Sequence, residues 1–316
     1  MFRRIYGTLF EFARWFVLSA LVGAACGLIG TLFSVCISYA GRWRDDLPWL
    51  LYLLPLGGLL IVALYRGMRQ PLTLGVDKLF LSIQEHSDVP PAMGPLIFLG
   101  TFITHLCGGS AGREGAALQL GGTLGNGIAN LLRLDDDDRD TMTLIGMGAL
   151  FSALFGTPLA AVLFVMEVLA LGHLSYSTFV PCLISSLTAY GVSVLLGMKP
   201  EGYVLSGVPA LTAGAVLTVS ILAILCAALS VFFCRVMHFS GSFMKERVKN
   251  DYLRAFIGGT AVIALTLLVG TRDYNGAGAA VIERAVSGSA RPQDFLLKLL
   301  FTAVTRSCGF KGGEIV

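Results

Sequence analysis

Residues 108–116 read Gly-Gly-Ser-Ala-Gly-Arg-Glu-Gly-Ala, which sets Arg113 and Glu114 in a glycine-rich turn between two strongly apolar stretches. Ionisable side chains at that depth in a membrane chain point to function, because burying charge in hydrocarbon is expensive. Gly108, Gly109, Gly112 and Gly115 leave the backbone N–H groups open to close approach by a ligand. The turn leads into a helical run expected over 113–132, whose first amides lie at the positive end of the helix dipole. A helix N-terminus with open amides is an anion site. The pattern implies handling of a small anion inside a membrane.

The elements that must position this turn follow from composition. Of 316 residues, 55% are hydrophobic and 14% charged, with a mean hydropathy of +0.76. Soluble domains carry about 25% charged residues, so the chain falls in the membrane class. Apolar stretches of spanning length lie near 15–40, 48–65, 174–197, 211–234 and 253–270, and shorter ones at 94–107, 116–132, 141–155, 158–171 and 293–305. Short apolar pieces broken by Gly and Pro mark discontinuous helices that line a site at mid-membrane depth. Arg3, Arg4, Arg66 and Arg69 fall on the cytoplasmic side if the N-terminus is inside. Arg42 and Arg44 fall on the other side, partly offset by Asp45 and Asp46. The first apolar stretch is too long for a cleavable signal peptide. The seven cysteines stand singly, without Cys-x-x-Cys, and read as small core hydrophobes.

The chain also repeats itself. Gly75 to Glu85, then Met93–Cys107, then Gly112-Arg-Glu-Gly is echoed by Gly276 to Val286, Arg291–Cys308 and Phe310-Lys-Gly-Gly-Glu. The interval from Gly75 to Gly112 is 37 residues and that from Gly276 to Gly312 is 36. Paired glycine breaks in corresponding places of two halves mark a transporter site, and inverted halves would bring the two loops head-on. The halves are expected over 1–200 and 201–316. The first half runs 84 residues past Gly112 and the second stops four past Gly312. The second half is therefore expected to be incomplete, in a parent protein of roughly 400 residues.

Three motifs in order, Gly108–Gly122, Phe155–Glu167 and Phe310–Val316, resemble the CLC chloride channels and anion/proton antiporters. The resemblance implies an all-α polytopic membrane protein with inverted repeats and discontinuous helices, normally a homodimer, with helix N-termini around a central anion path. It assigns the gating and proton-linked role to Glu114, whose carboxylate occupies the anion path or swings out protonated. Desolvation favours the neutral carboxyl, which suits such a role. The family's cradle maps onto Gly112, Arg113, Glu114 and Gly115, with Val76 in a neighbouring loop. Its second cradle falls on Gly313, Glu314, Ile315 and Val316.

The branch is read from departures. Val168 stands where many chloride/proton exchangers carry a second glutamate after the position of Glu167, and Leu74–Lys78 lacks their Gly-Ser-Gly-Ile-Pro loop. Gly312-Gly313-Glu314 and Ser110–Gly115 are similar to the fluoride/proton antiporters instead. That branch typically carries Met or Asn near Val76 and a hydroxyl residue at Val316, so chloride transport, as a chloride/proton antiporter or a chloride channel, stays as the alternative. Fluoride is small and strongly hydrated and needs several directed donors, for which charge-assisted N–H bonds are suited. Glu314 is then a second candidate proton carrier or a cradle residue.

Other residues read more plainly. Arg113 and Glu114 admit an interfacial ion pair as the bland alternative. Glu167 admits a structural role, His105 that of a satisfied buried histidine, and Asp135–Asp138 a solvated loop favouring the next helix N-terminus. Gly23-x-x-x-Gly27 reads as a helix-packing face, and Lys245–Lys249 with Arg254 as a loop near anionic lipid rather than a nucleic-acid patch. No His-Glu-x-x-His and no spaced Ser/His pair is present, which argues against an intramembrane enzyme. No cofactor or metal is expected. The partners expected are a halide, protons, lipid and a second copy, in a bacterial inner (plasma) membrane.

Overall fold

Caps and breakers divide the apolar chain. The computed structural model describes residues 2–168, 178–199, 210 and 212–314, with side chains for 9–167, 178–199, 210 and 212–314. The first half contains α1 (Phe2–Asp46), a 3-10 turn at Pro48–Leu53, α2 (Leu54–Gly67), α3 (Val76–Gln84), α4 (Met93–Leu106), α5 (Glu114–Leu131), α6 (Asp136–Phe155), α7 (Pro158–Val168) and α8 (Phe179–Leu195). The second contains α9 (Ala213–Arg247), α10 (Asp251–Val269), α11 (Ala279–Val286) and α12 (Asp294–Ser307). Asp135 N-caps α6 by accepting the Asp138 N–H at 2.9 Å, so the acidic run does start a helix. Gly156, at φ +69°, ends α6 in the left-handed region, and Pro158 opens α7 two residues later.

Among the described residues, α1, α9, α10 and the turn with α2 are long and apolar enough to cross a membrane. The described part of the expected span at 174–197 is shorter, the 17-residue α8. The basic stretch near 245 is partly helical: Lys245 and Arg247 form the last turn of α9, where cations oppose the negative dipole end.

A constant offset of 201 residues relates the two halves. It carries both ends of α4 onto those of α12, from 93 to 294 and from 106 to 307. It also carries Gly57-Gly58 onto Gly258-Gly259 and Gly75 onto Gly276. The glycine pairs make equivalent contacts, since a Cβ on Gly57 would strike Cys107 Sγ and one on Gly258 would strike Cys308 Sγ. Helices α2 and α10 cross closely and antiparallel. Pro55 lies at Gly259, Ala255 at Gly58, and Arg66 at the end of α2 meets Asp251 at the start of α10 at 3.3 Å.

Gly23 and Gly27 pack α1 against α8, facing Ser185 and Thr188, and Ala189 and Val192. Gly23→Leu is expected to cost about 1–3 kcal/mol through overpacking. Size-exclusion chromatography in detergent should show a loss of monodisperse protein, with Gly191→Ala, at an open position on α8, as the tolerated control.

Candidate functional site

The two glycine loops meet backbone to backbone. Gly112 N–H donates to Gly313 O at 2.9 Å, and Gly313 N–H donates to Gly112 O at 2.7 Å, forming an isolated antiparallel bridge. The expectation of a head-on meeting holds, with one shift in register. Gly112 pairs with Gly313 rather than Gly312, and at an offset of 201 each is the other's counterpart. Side chains fix the loops in a matching way: Ser110 N–H donates to Thr305 Oγ1 on α12 at 3.1 Å, and Lys311 N–H donates to Thr104 Oγ1 on α4 at 3.2 Å. These pairs too are related by 201. Cys107 and Cys308 cap the preceding helices, and Gly108 and Gly309, at φ +85° and +97°, make the turns that L side chains disfavour.

Beyond the bridge, α5 begins at Glu114, and the amides of Glu114, Gly115 and Ala116 lie outside its intrahelical ladder. The half-buried carboxylate of Glu114 folds back so that Oε2 accepts the Arg113 N–H at 2.9 Å. A Cβ on Gly313 would stand 3.0 Å from that oxygen, 3.0 Å from Gly115 N and 3.1 Å from Glu114 N. Gly313 is therefore the floor against which carboxylate and amides rest. Val76, the first residue of α3, adds its Cγ2 at 3.7 Å from where a Gly115 Cβ would be. Val76, Gly112, Glu114, Gly115 and Gly313, far apart in sequence, thus surround one small space. A helix N-terminus with amides outside its own ladder can bind an anion.

Arg113 contributes its amide here, while its guanidinium stacks over Phe155 at 5.9 Å and lines a neighbouring cavity of about 630 Å³. Arg42 and Arg44 from α1 and Arg272 line the same cavity against Asp45 and Asp273, and Asp273 is paired with Arg284 at 2.6 Å. The vestibule is basic on balance. His105 is buried on its wall, with Nδ1 donating to Thr101 O at 2.9 Å and Nε2 without a hydrogen-bond partner among the described residues. The histidine reading holds for one ring nitrogen only.

Glu314 turns outward, 57% exposed in its side chain, and pairs with Arg306 at 3.2 Å. Glu167 is exposed at the end of α7. Ile315 and Val316 lie outside the described residues. Two buried lysines, Lys298 and Lys311, escaped the sequence reading; the signal was a lone cation within each apolar or glycine-rich repeat segment.

A family model described as the voltage-gated chloride channel matches residues 57–316, across both glycine loops. This chain belongs to the voltage-gated chloride channel, or CLC, family. A chloride/fluoride channel protein of Pseudomonas syringae pv. tomato is 32% identical over 96% of this CLC chain and 69% of its own length. An H(+)/Cl(-) exchange transporter of Vibrio campbellii is 28% identical over 48% of the chain and 35% of its own length. Among solved structures, a CLC-type fluoride/proton antiporter superposes with a TM-score of 0.91 at 33% identity, covering 96% of this chain and 78% of the other. A slow cyanobacterial Cl−/H+ antiporter shares the CLC fold, with a TM-score of 0.80 at 19% identity, over 95% of this chain and 75% of its own. The all-helical CLC membrane architecture expected from the motifs is therefore established.

Proposed function

We propose that this CLC protein moves a small halide anion across a membrane, exchanging fluoride for protons. The observation that carries the reading is Glu114 Oε2 accepting the N–H of Arg113, the N-cap of α5, with Gly313 packed beside it and beside the Glu114 and Gly115 amides. There a carboxylate and a halide compete for one place, so protonation of the carboxyl releases the place to the anion. Glu114 is the gate and proton carrier. The amides around Gly112, Arg113, Glu114, Gly115, Gly313 and Glu314, extended by Ile315 and Val316 and walled by Val76, form the cradle. Glu314 exchanges protons at the second loop. The halves 1–200 and 201–316 act as inverted units, and the protein works as a homodimer in the bacterial inner membrane.

Fluoride is favoured over chloride by Gly312-Gly313-Glu314 and by the likeness to the solved fluoride/proton antiporter. Val76 favours chloride, because an apolar wall offers a small, strongly hydrated anion no donor. Reconstitution of the full-length protein in liposomes, with fluoride and chloride electrodes and an imposed proton gradient, decides between them. Proton-driven fluoride efflux is expected; chloride efflux with fluoride excluded overturns the choice of ion, and movement of neither overturns the transport reading.

The basic vestibule adds a kinetic expectation. Field lines focused by Arg42, Arg44, Arg113 and Arg272 raise local anion concentration and weaken as salt shortens the Debye length from about 10 Å at 0.1 M to about 3 Å at 1 M. Apparent halide affinity from that face should fall several-fold with an impermeant salt, and Arg42→Gln should flatten that dependence. Initial rates at graded ionic strength read both.

A further inference from the structure

In each half the loop that precedes the short helix holds one buried ammonium, and both ammoniums come from the second half. Lys298 on α12 is 8% exposed, and Nζ donates to Gly276 O at 2.6 Å, Tyr274 O at 3.1 Å and Ser110 Oγ at 2.8 Å. Lys311 on the second loop is 5% exposed, and Nζ donates to Leu72 O at 2.5 Å and Leu74 O at 3.2 Å. At an offset of 201, residues 274 and 276 correspond to 73 and 75, so the two carbonyl sites are near-equivalents. The residues that fill them are not. Position 298 corresponds to Ile97, and position 311 to Ser110. In one half the helix brings the charge and the loop is serine; in the other the loop brings the charge and the helix is isoleucine. The ammonium is kept while its carrier changes sides, which makes the charge at that place the invariant feature.

The Lys298 site differs in touching the loop that carries Glu114. Lys298, Thr302 and Thr305 lie at i, i+4 and i+7, on one face of α12. All three hold Ser110: Nζ donates to Oγ, Oγ pairs with Thr302 Oγ1 at 2.9 Å, and the Ser110 N–H goes to Thr305. The Ser110 hydroxyl accepts from the ammonium, and either hydroxyl of the Ser110–Thr302 pair can donate to the other. The charge also lies within electrostatic reach of the Glu114 carboxylate and of Arg44 on α1. The other ionisable groups facing this cluster are Arg113 beside Glu114 and His105 on α4, while the Tyr274 hydroxyl is engaged by Asp294 at 2.5 Å.

We propose that Lys298 is a positioning residue for the Glu114 gate, anchoring its loop through Ser110 and placing an ammonium that favours an anion, carboxylate or halide, at the start of α5. The proposal rests on the reading of Glu114 as a proton-linked gate. Removing the charge disfavours the carboxylate, so Glu114 holds its proton to higher pH and the pH profile of transport moves upward.

The test is fluoride efflux from liposomes containing full-length protein, measured against pH and fluoride concentration for wild type, Lys298→Met, Lys298→Arg and Ser110→Ala. Lys298→Met is expected to move the half-maximal pH up by about one unit and raise KM about tenfold, and Lys298→Arg to keep both near wild type. Ser110→Ala keeps the charge on its two carbonyls and frees the loop; it should raise KM several-fold with the pH midpoint unmoved. Ser110→Ala decides the matter if Lys298→Met does not fold, since an unchanged KM there overturns the anchor. A folded Lys298→Met with wild-type pH profile and KM overturns the charge role and leaves only a staple. Wild type that moves no halide defeats the transport reading itself, and is seen separately in the control.

Discussion

Glu114→Gln is expected to uncouple protons from halide flux, reducing proton movement at least tenfold while the protein folds normally. The amide is close in shape to a protonated carboxyl but carries no charge and cannot deliver a proton. In the structure Oε2 accepts the Arg113 N–H at 2.9 Å and lies against Gly313, so the carboxylate holds the N-cap amide at the start of α5. A hydrogen bond to a charged partner contributes about 1.5–3 kcal/mol, against which a halide must compete. Removing the charge lowers that competition, so halide affinity at the site should rise by about tenfold or more. Two readouts check the prediction together. Simultaneous pH and fluoride electrodes follow coupling in liposomes, and calorimetric halide titration in detergent follows affinity. Undiminished proton movement in the variant moves the proton role to Glu114's neighbours, with Glu314 and its Arg306 partner first among them. Unchanged affinity with lost coupling means that carboxylate and halide occupy different places.

Much of this arrangement was legible in the sequence, because the long apolar runs and their breaks obey local rules. The stretch at 94–107 is α4 at Met93–Leu106, and the helix expected over 113–132 is α5 at Glu114–Leu131. The glycine loops were found because glycine between apolar runs has few other uses. Helices α3 and α11, of nine and eight residues, are too short for a spanning signal but fall on the repeated segments at 75–85 and 276–286. What escaped depends on tertiary geometry. The register of the loops is hidden to within one residue because Gly312 and Gly313 are adjacent and chemically identical in sequence. Only the bridge and the 201-residue offset distinguish them. The sites of Lys298 and Lys311 are hidden for a related reason. A single lysine near an apolar segment reads as snorkelling to the interface, and nothing local announces carbonyls from loops more than 20 and 230 residues away that hold it inside.

That one-residue distinction has a measurable consequence, in which neighbouring glycines should fail in different ways on acquiring a methyl group. Gly313 does not occupy the positive-φ region, so alanine is acceptable to its backbone, and the bridge to Gly112 uses main-chain atoms that alanine retains. The new methyl would stand 3.0 Å from Glu114 Oε2 and from Gly115 N, and 3.1 Å from Glu114 N. The carboxylate can swing aside, being the far end of a flexible side chain; the amides cannot, being backbone. Gly313→Ala is therefore expected to cover the donors themselves, lowering halide affinity and coupled flux tenfold or more with the melting temperature nearly unchanged. Gly312, at φ +146°, is in a region that only glycine visits readily, and its Cβ would lie 2.5 Å from Ala111 Cβ. Gly312→Ala should cost about 1–3 kcal/mol of backbone strain and show as reduced thermal stability. Thermal unfolding in detergent beside halide titration separates the two. Wild-type affinity in a well-folded Gly313→Ala protein would place the anion away from the Glu114 and Gly115 amides. Equal loss of stability in both variants would mean that the bridge serves the fold alone.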